Sequence, residues 1–157
     1  IAGSALVFAH AVFEGAVYDT LKIALFANPQ DWVPMVRQRT VQIAEVVDAA
    51  ESVVQSKIND FWKELERAPL MRKVEKIYQI VSPSSTGSIV TGYKYEPSRL
   101  QALDEKRHEV THRDRQSYRP EDLEDDLTFL FKTGFHLLSL PVEKYNLIAL
   151  QRPEPGS

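Results

Sequence analysis

"VRQRTVQIAEVVDAAESVVQSKINDFWKEL", residues 36–65, is the stretch on which the fold turns. Its residues Val36, Ile43, Val47, Ala50, Val54, Ile58, Phe61 and Leu65 recur at intervals of mostly three and four. That spacing lays one apolar stripe along a helix, where a strand would alternate from residue to residue. A bundle helix of about 30 residues is expected.

Proline sets the limits of this helix on both sides. Asn28-Pro29 and Pro34 separate it from an earlier apolar helix, because proline lacks a backbone donor and disfavours helix in the residue before it. Pro69 breaks it near Ala68, after which Leu70, Val74, Ile77 and Val81 give a short amphipathic helix or a kinked continuation. Residues 82–96, rich in Ser, Gly and Thr, read as a surface loop with a short hairpin through Ile89 to Tyr95. Pro97 opens the next helix. "RPEDLEDDL", residues 119–127, reads as a further helix start, with proline early and five carboxylates where the helix dipole favours negative charge. Its stripe is Leu123, Leu127, Leu130, Phe131, Leu137 and Leu138, ending at Pro141, and a short helix through Val142 to Leu150 closes the fold.

The expectation is an all-α, up-and-down bundle of four principal helices plus one or two short ones, a single domain over residues 1–157. The first helix is apolar round most of its circumference, which fits either a second subunit on its outer side or a central position in one bundle. His10, Glu14, Asp19 and Lys22 interrupt that helix at high cost in lipid, so no membrane partner is expected. A net charge of -3 argues against coating nucleic acid by bulk electrostatics, and any such contact must come from a local patch. The absence of cysteine excludes thiolate metal sites and fits a reducing, cytoplasmic setting. Ile1 at the start and "RPEPGS" at the end suggest trimmed termini.

Chemistry concentrates in "DEKRHEVTH", residues 104–112. Leu100 and Leu103 set up a helical seam whose next slots are 107 and 110, yet slot 107 holds Arg107. In the bland reading Arg107 snorkels and a histidine near the helix end is favoured by the dipole. Against it stands a local density of cations: Arg107, Arg113, Arg115 and Arg119 with His108 and His112 form a basic segment suited to phosphate in an acidic chain. Asp104, His108 and His112 stand four apart on one face, a possible metal set. Bundle metal sites, however, draw ligands from several helices, and the arginines repel a cation; no metal and no cofactor are expected. Glu14, one turn from His10 and from Tyr18, is a supporting candidate that can pair with Arg107 or tune a histidine; a satisfied hydrogen bond or a solvated edge is its bland reading. Trp32 and Trp62 read as packing anchors, His136 as a packed or a surface histidine, and the acidic run from Glu121 to Asp126 as a solvated helix start or a dock for a basic partner.

Arg107-His108-Glu109-Val110-Thr111-His112 resembles the Arg-polar-x-x-x-His signature of the HEPN superfamily, helical-bundle domains of bacterial toxin and antiviral systems. The all-helical setting, with the motif on a late helix, is similar as well. The resemblance implies a homodimer that cleaves RNA without metal, its motifs facing each other across a two-fold axis. Arg107, His112 and His108 are then the catalytic residues, with Arg113, Arg115 and Arg119 on RNA phosphates. Histidine changes charge closest to neutral pH, and arginine offers two parallel donors to phosphate oxygens. Arg107 and His112, five residues apart, differ by about 140° on an ideal helix, so either the helix loosens or two chains share the site. An antitoxin such as a nucleotidyltransferase is a possible partner. In some relatives such an enzyme modifies a tyrosine two residues past the motif histidine, where this chain has Asp114, its nearest tyrosine being Tyr118. The alternative is a non-catalytic HEPN-like domain that dimerises, binds RNA or nucleotide, or holds a partner.

Overall fold

The computed structural model describes residues 1–36, 43–81, 93, 95–112 and 118–147, with only the backbone described over 43–51. It is an all-α bundle. The helices are α1 (Ala2–Ala27), α2 (Val33–Val36), α3 (Ile43–Glu66), α4 (Leu70–Val81), α5 (Pro97–His112) and α6 (Leu123–Lys144), with 3-10 turns at Pro29–Trp32 and Pro120–Asp122. Pro29, Pro69 and Pro97 stand at element limits as the sequence suggests, whereas Pro34 lies inside α2. Asn28 ends α1 in extended conformation, and its side chain accepts from the Gln30 amide at 3.3 Å, capping the turn that Pro29 opens. No described helix is long and apolar enough to cross a membrane.

The lower half of the α3 stripe is core: Ile58, Phe61 and Leu65 are buried, while Val54 is 38 % exposed. Val36 is described in α2 and Ile43–Glu66 in α3, and the part of the expected helix between them, residues 37–42, lies outside the described residues. Trp32 is fully buried and packs edge-on to Phe61 and tilted against Trp62, with ring centroids 5.9 Å away in each case. Both indoles are packing anchors. The loop and hairpin expected over 82–96 fall mostly outside the described residues.

α1 packs most extensively on α6, and also meets α4 and α5. Gly134 of α6 stands at the crossing, where a Cβ would meet Phe13 Cδ2 at 3.4 Å and Ala16 Cβ at 3.7 Å, ordinary van der Waals contact. Two corrections concern α6. Phe131, expected on the core stripe, is 74 % exposed, and the buried face runs instead through Asp126, Phe129, Leu130, Thr133, Leu137 and Leu140. Pro141 does not end the helix, which continues to Lys144. A proline this near the end removes only one intrahelical bond, and the last turn is held from outside. The Lys144 ammonium donates to the Ile80 carbonyl at 2.6 Å and pairs with Asp31 at 2.7 Å. The helix then closes with Asn146 at φ 50° and the Leu147 amide donating to the Val142 carbonyl at 3.0 Å, a Schellman stop. A separate helix over 142–150 is thereby displaced, its last three residues lying outside the described ones.

The acidic start of α6 is only partly solvated. Arg99 pairs with Asp125 and lies over the Phe129 ring at 4.5 Å, and Asp126, 6 % exposed, receives Lys106 at 3.5 Å and the Tyr118 hydroxyl at 2.9 Å. These contacts tie α5 to α6 and fix the helix that carries the motif.

Candidate active site on α5

α5 turns Leu100, Leu103 and Val110 into the core, which leaves Arg107 at the inward slot between them. A guanidinium cannot enter an apolar core unpaired. Arg107 therefore leaves it sideways, donating to Asp104 Oδ1 one turn back at 2.8 Å and reaching Glu14 Oε1 of α1 at 3.8 Å. Its Nε is buried without a hydrogen-bond acceptor among the described residues.

Behind this pair lies His10, 1 % exposed, with Nε2 3.2 Å from Asp104 Oδ1 and Nδ1 3.6 Å from Glu14 Oε1. The Nε2 contact is close but not aligned as a hydrogen bond, so it acts through charge and dipole. Glu14 thus approaches both Arg107 and a histidine, from a half-exposed position. His10 itself is the member that sequence reasoning passed over. Its spacing to Glu14 was visible, but Asp104, far away in the chain, gives no local signal.

His10, Glu14 and Asp104 offer ligand atoms within 4.8 Å of one another. Arg107 already sets a positive charge against both carboxylates, and a metal ion would have to displace it. The arrangement suits a held guanidinium better than a cation site. Outside the cluster a cleft of about 270 Å³ is lined by Glu14, Ala68, Pro69, Leu70, Lys73, Asp104 and Arg107, with charges of both signs.

The two motif histidines face elsewhere. His108 and His112 are exposed, one turn apart on the outer side of α5, with ring centroids 4.5 Å apart. α5 remains α-helical through His112, so the helix does not loosen to bring Arg107 and His112 onto one face. Of the three arginines expected on phosphate, Arg119 is exposed beside a smaller cleft shared with Lys106, Glu109 and Tyr118, while Arg113 and Arg115 lie outside the described residues. Tyr118 is 7 % exposed, with its hydroxyl donating to Asp126. His136 is buried in an aromatic stack with Tyr93 and Tyr78, in keeping with a packing role. The chain matches no protein-family model, no curated protein and no solved structure.

Burial pulls the imidazoles of His10 and His136 below their ordinary value of 6.5. For His10 the Arg107 charge acts in the same direction, while Asp104 and Glu14 oppose it. The unfolded chain then takes up these protons first, so their contribution to stability is complete above about pH 6.5 and declines as pH falls towards the folded-state values. The thermal midpoint is expected to drop as pH is lowered from about 7 to about 5, and His10→Gln to remove part of that drop. An identical slope in the variant would show that His10 is not buried as a neutral group.

Proposed function

We propose that this chain is a metal-independent endoribonuclease of the kind that its Arg107 to His112 motif implies, acting in a bacterial toxin or antiviral setting. The observation that carries the reading is the exposed His108/His112 pair on the outer side of the helix that also holds Arg107 between two carboxylates. Two imidazoles on a surface supply the base and the acid that RNA transesterification needs, and a guanidinium supplies charge for the phosphorane.

In this reaction His112 accepts the proton of the 2′-hydroxyl as its oxygen attacks the adjacent phosphorus. The bond to the 5′-oxygen then breaks, and that oxygen takes its proton from His108 or, where His108 only orients the phosphate, from water. The products are a 2′,3′-cyclic phosphate and a 5′-hydroxyl. Because the helix keeps Arg107 and His112 on different faces, the reading joins Arg107 of one copy to His112 of a second across a two-fold axis. Arg119, with Arg113 and Arg115, follows the RNA backbone. An antitoxin, a nucleotidyltransferase among the possibilities, and a cytoplasmic location belong to the same reading.

One observation favours a second reading, a non-catalytic domain that dimerises, binds RNA or nucleotide, or holds a partner. Arg107 is already paired with Asp104, beside Glu14, and a phosphate must compete with both carboxylates for it. RNA and DNA strands of the same sequence separate the readings. The nuclease cuts RNA and leaves DNA intact, since only RNA has the nucleophile. Equal cutting of both contradicts the mechanism, and RNA binding without cleavage favours the second reading.

A further inference from the structure

On the side of the bundle away from α5, α1 and α6 form an open groove of about 500 Å³ lined only by apolar residues and glycine. Its ridges are Phe8 at 73 % exposure, Val12 at 58 %, Phe131 at 74 % and Phe135 at 51 %. Ala5, Ala9, Ala16 and Gly134 line it between these ridges. We infer that this face is an interface with a second copy of the chain.

Three features select that occupant. The first is area. At about 200 Å² per ring, the three phenylalanines alone expose about 400 Å² of apolar surface, the size of the largest patch on an ordinary monomer, which is often a contact site. This is about half of the ~800 Å² that each partner of a standard interface buries. The second is shape: large side chains and a trough of small residues occur in the same patch, as a self-complementary two-fold contact requires, and pairing α1 and α6 with their copies makes a four-helix layer. The third is charge. Exposed Glu124, Thr128 and Lys132 flank Phe131 and Phe135 with both signs, a polar rim round an apolar centre. A membrane surface is a poor match, because α1 holds a single lysine and α6 begins among five carboxylates, whereas helices that lie on lipid are rich in Lys and Arg. Nucleic acid would find no donor in the groove.

This contact is separate from the motif. His10 and Glu14 each lie two residues from Val12, about 160° round α1, so a dimer through the groove turns its two α5 helices outward. The apposition of α5 motifs in the nuclease reading is then a second contact, and a chain with both assembles as a dimer of dimers.

Sedimentation equilibrium without RNA tests the inference independently of any cleavage. The wild type is expected as a dimer or tetramer, with the mass halved by Phe8→Glu and by Phe131→Glu and unchanged by Gln55→Glu at an exposed position on α3. Both phenylalanines are mostly exposed within one chain, so the helical signal should persist; Phe131→Ala, which adds no charge, should weaken association in the same sense. A monomeric wild type, or an unchanged mass in either glutamate variant, would overturn the inference. So would a wild-type monomer that floats with phosphatidylcholine vesicles, which would assign the face to lipid.

Discussion

His112→Ala is expected to lower RNA cleavage by about 10²- to 10⁴-fold, the range of a lost general acid or base, while leaving the helical signal and thermal midpoint almost unchanged. The separation of the two effects follows from where the side chain stands. His112 is the last residue of α5, exposed, with its ring against that of His108 and outside the buried core. Truncating an exposed side chain of this kind ordinarily changes stability little. His108→Ala should leave more activity, because it stands at the motif's variable polar position. A large fall in thermal midpoint for His112→Ala would identify the histidine as structural, and undiminished cleavage would remove it from the mechanism.

Arg107→Lys is expected to cost nearly as much as Arg107→Ala, about 10²- to 10³-fold. Lysine keeps the charge but is a compact ammonium without the planar pair of donors, and it matches neither a phosphate edge nor the reach from Asp104 to Glu14. Arg107→Ala also has a readout independent of RNA. The guanidinium helps to hold His10 below its ordinary value, whereas Asp104 and Glu14 act to raise it. Removing Arg107 should shift the His10 titration upward in an NMR experiment. If Arg107→Lys cleaves as the wild type does, the residue serves as an ion-pair partner that stabilises the α1–α5 contact, and the catalytic assignment fails.

The parts of this structure that were legible in the sequence are those set by local rules. Pro29, Pro69 and Pro97 fix element limits because each acts on its own backbone. Arg107 was recognisable as an exception because Leu100, Leu103 and Val110 define the seam it interrupts. Leu127, Phe131 and Leu138 read as core in the sequence although they line the outer groove, because α6 carries two apolar faces. One meets the core and the other, through Leu127, Phe131, Phe135 and Leu138, lines the outer groove, and periodicity does not say which is inside. Pro141 reads as a helix stop in the sequence, but Asp31 and the Ile80 carbonyl, both distant in sequence, hold the last turn through Lys144. The same limit applies to the site. Glu14 and His10 share a helix face by spacing, whereas their junction with Asp104 and Arg107 exists only once α1 packs on α5.

The most direct measurement is incubation of wild type and His112→Ala with a mixed RNA pool in EDTA, reading fragment length and end chemistry together. The nuclease account predicts cleavage by the wild type, unaffected by the chelator, leaving 2′,3′-cyclic phosphate and 5′-hydroxyl ends, with little or none from the variant. Cleavage abolished by EDTA and restored by a divalent ion, or equal cleavage by both proteins, would contradict it.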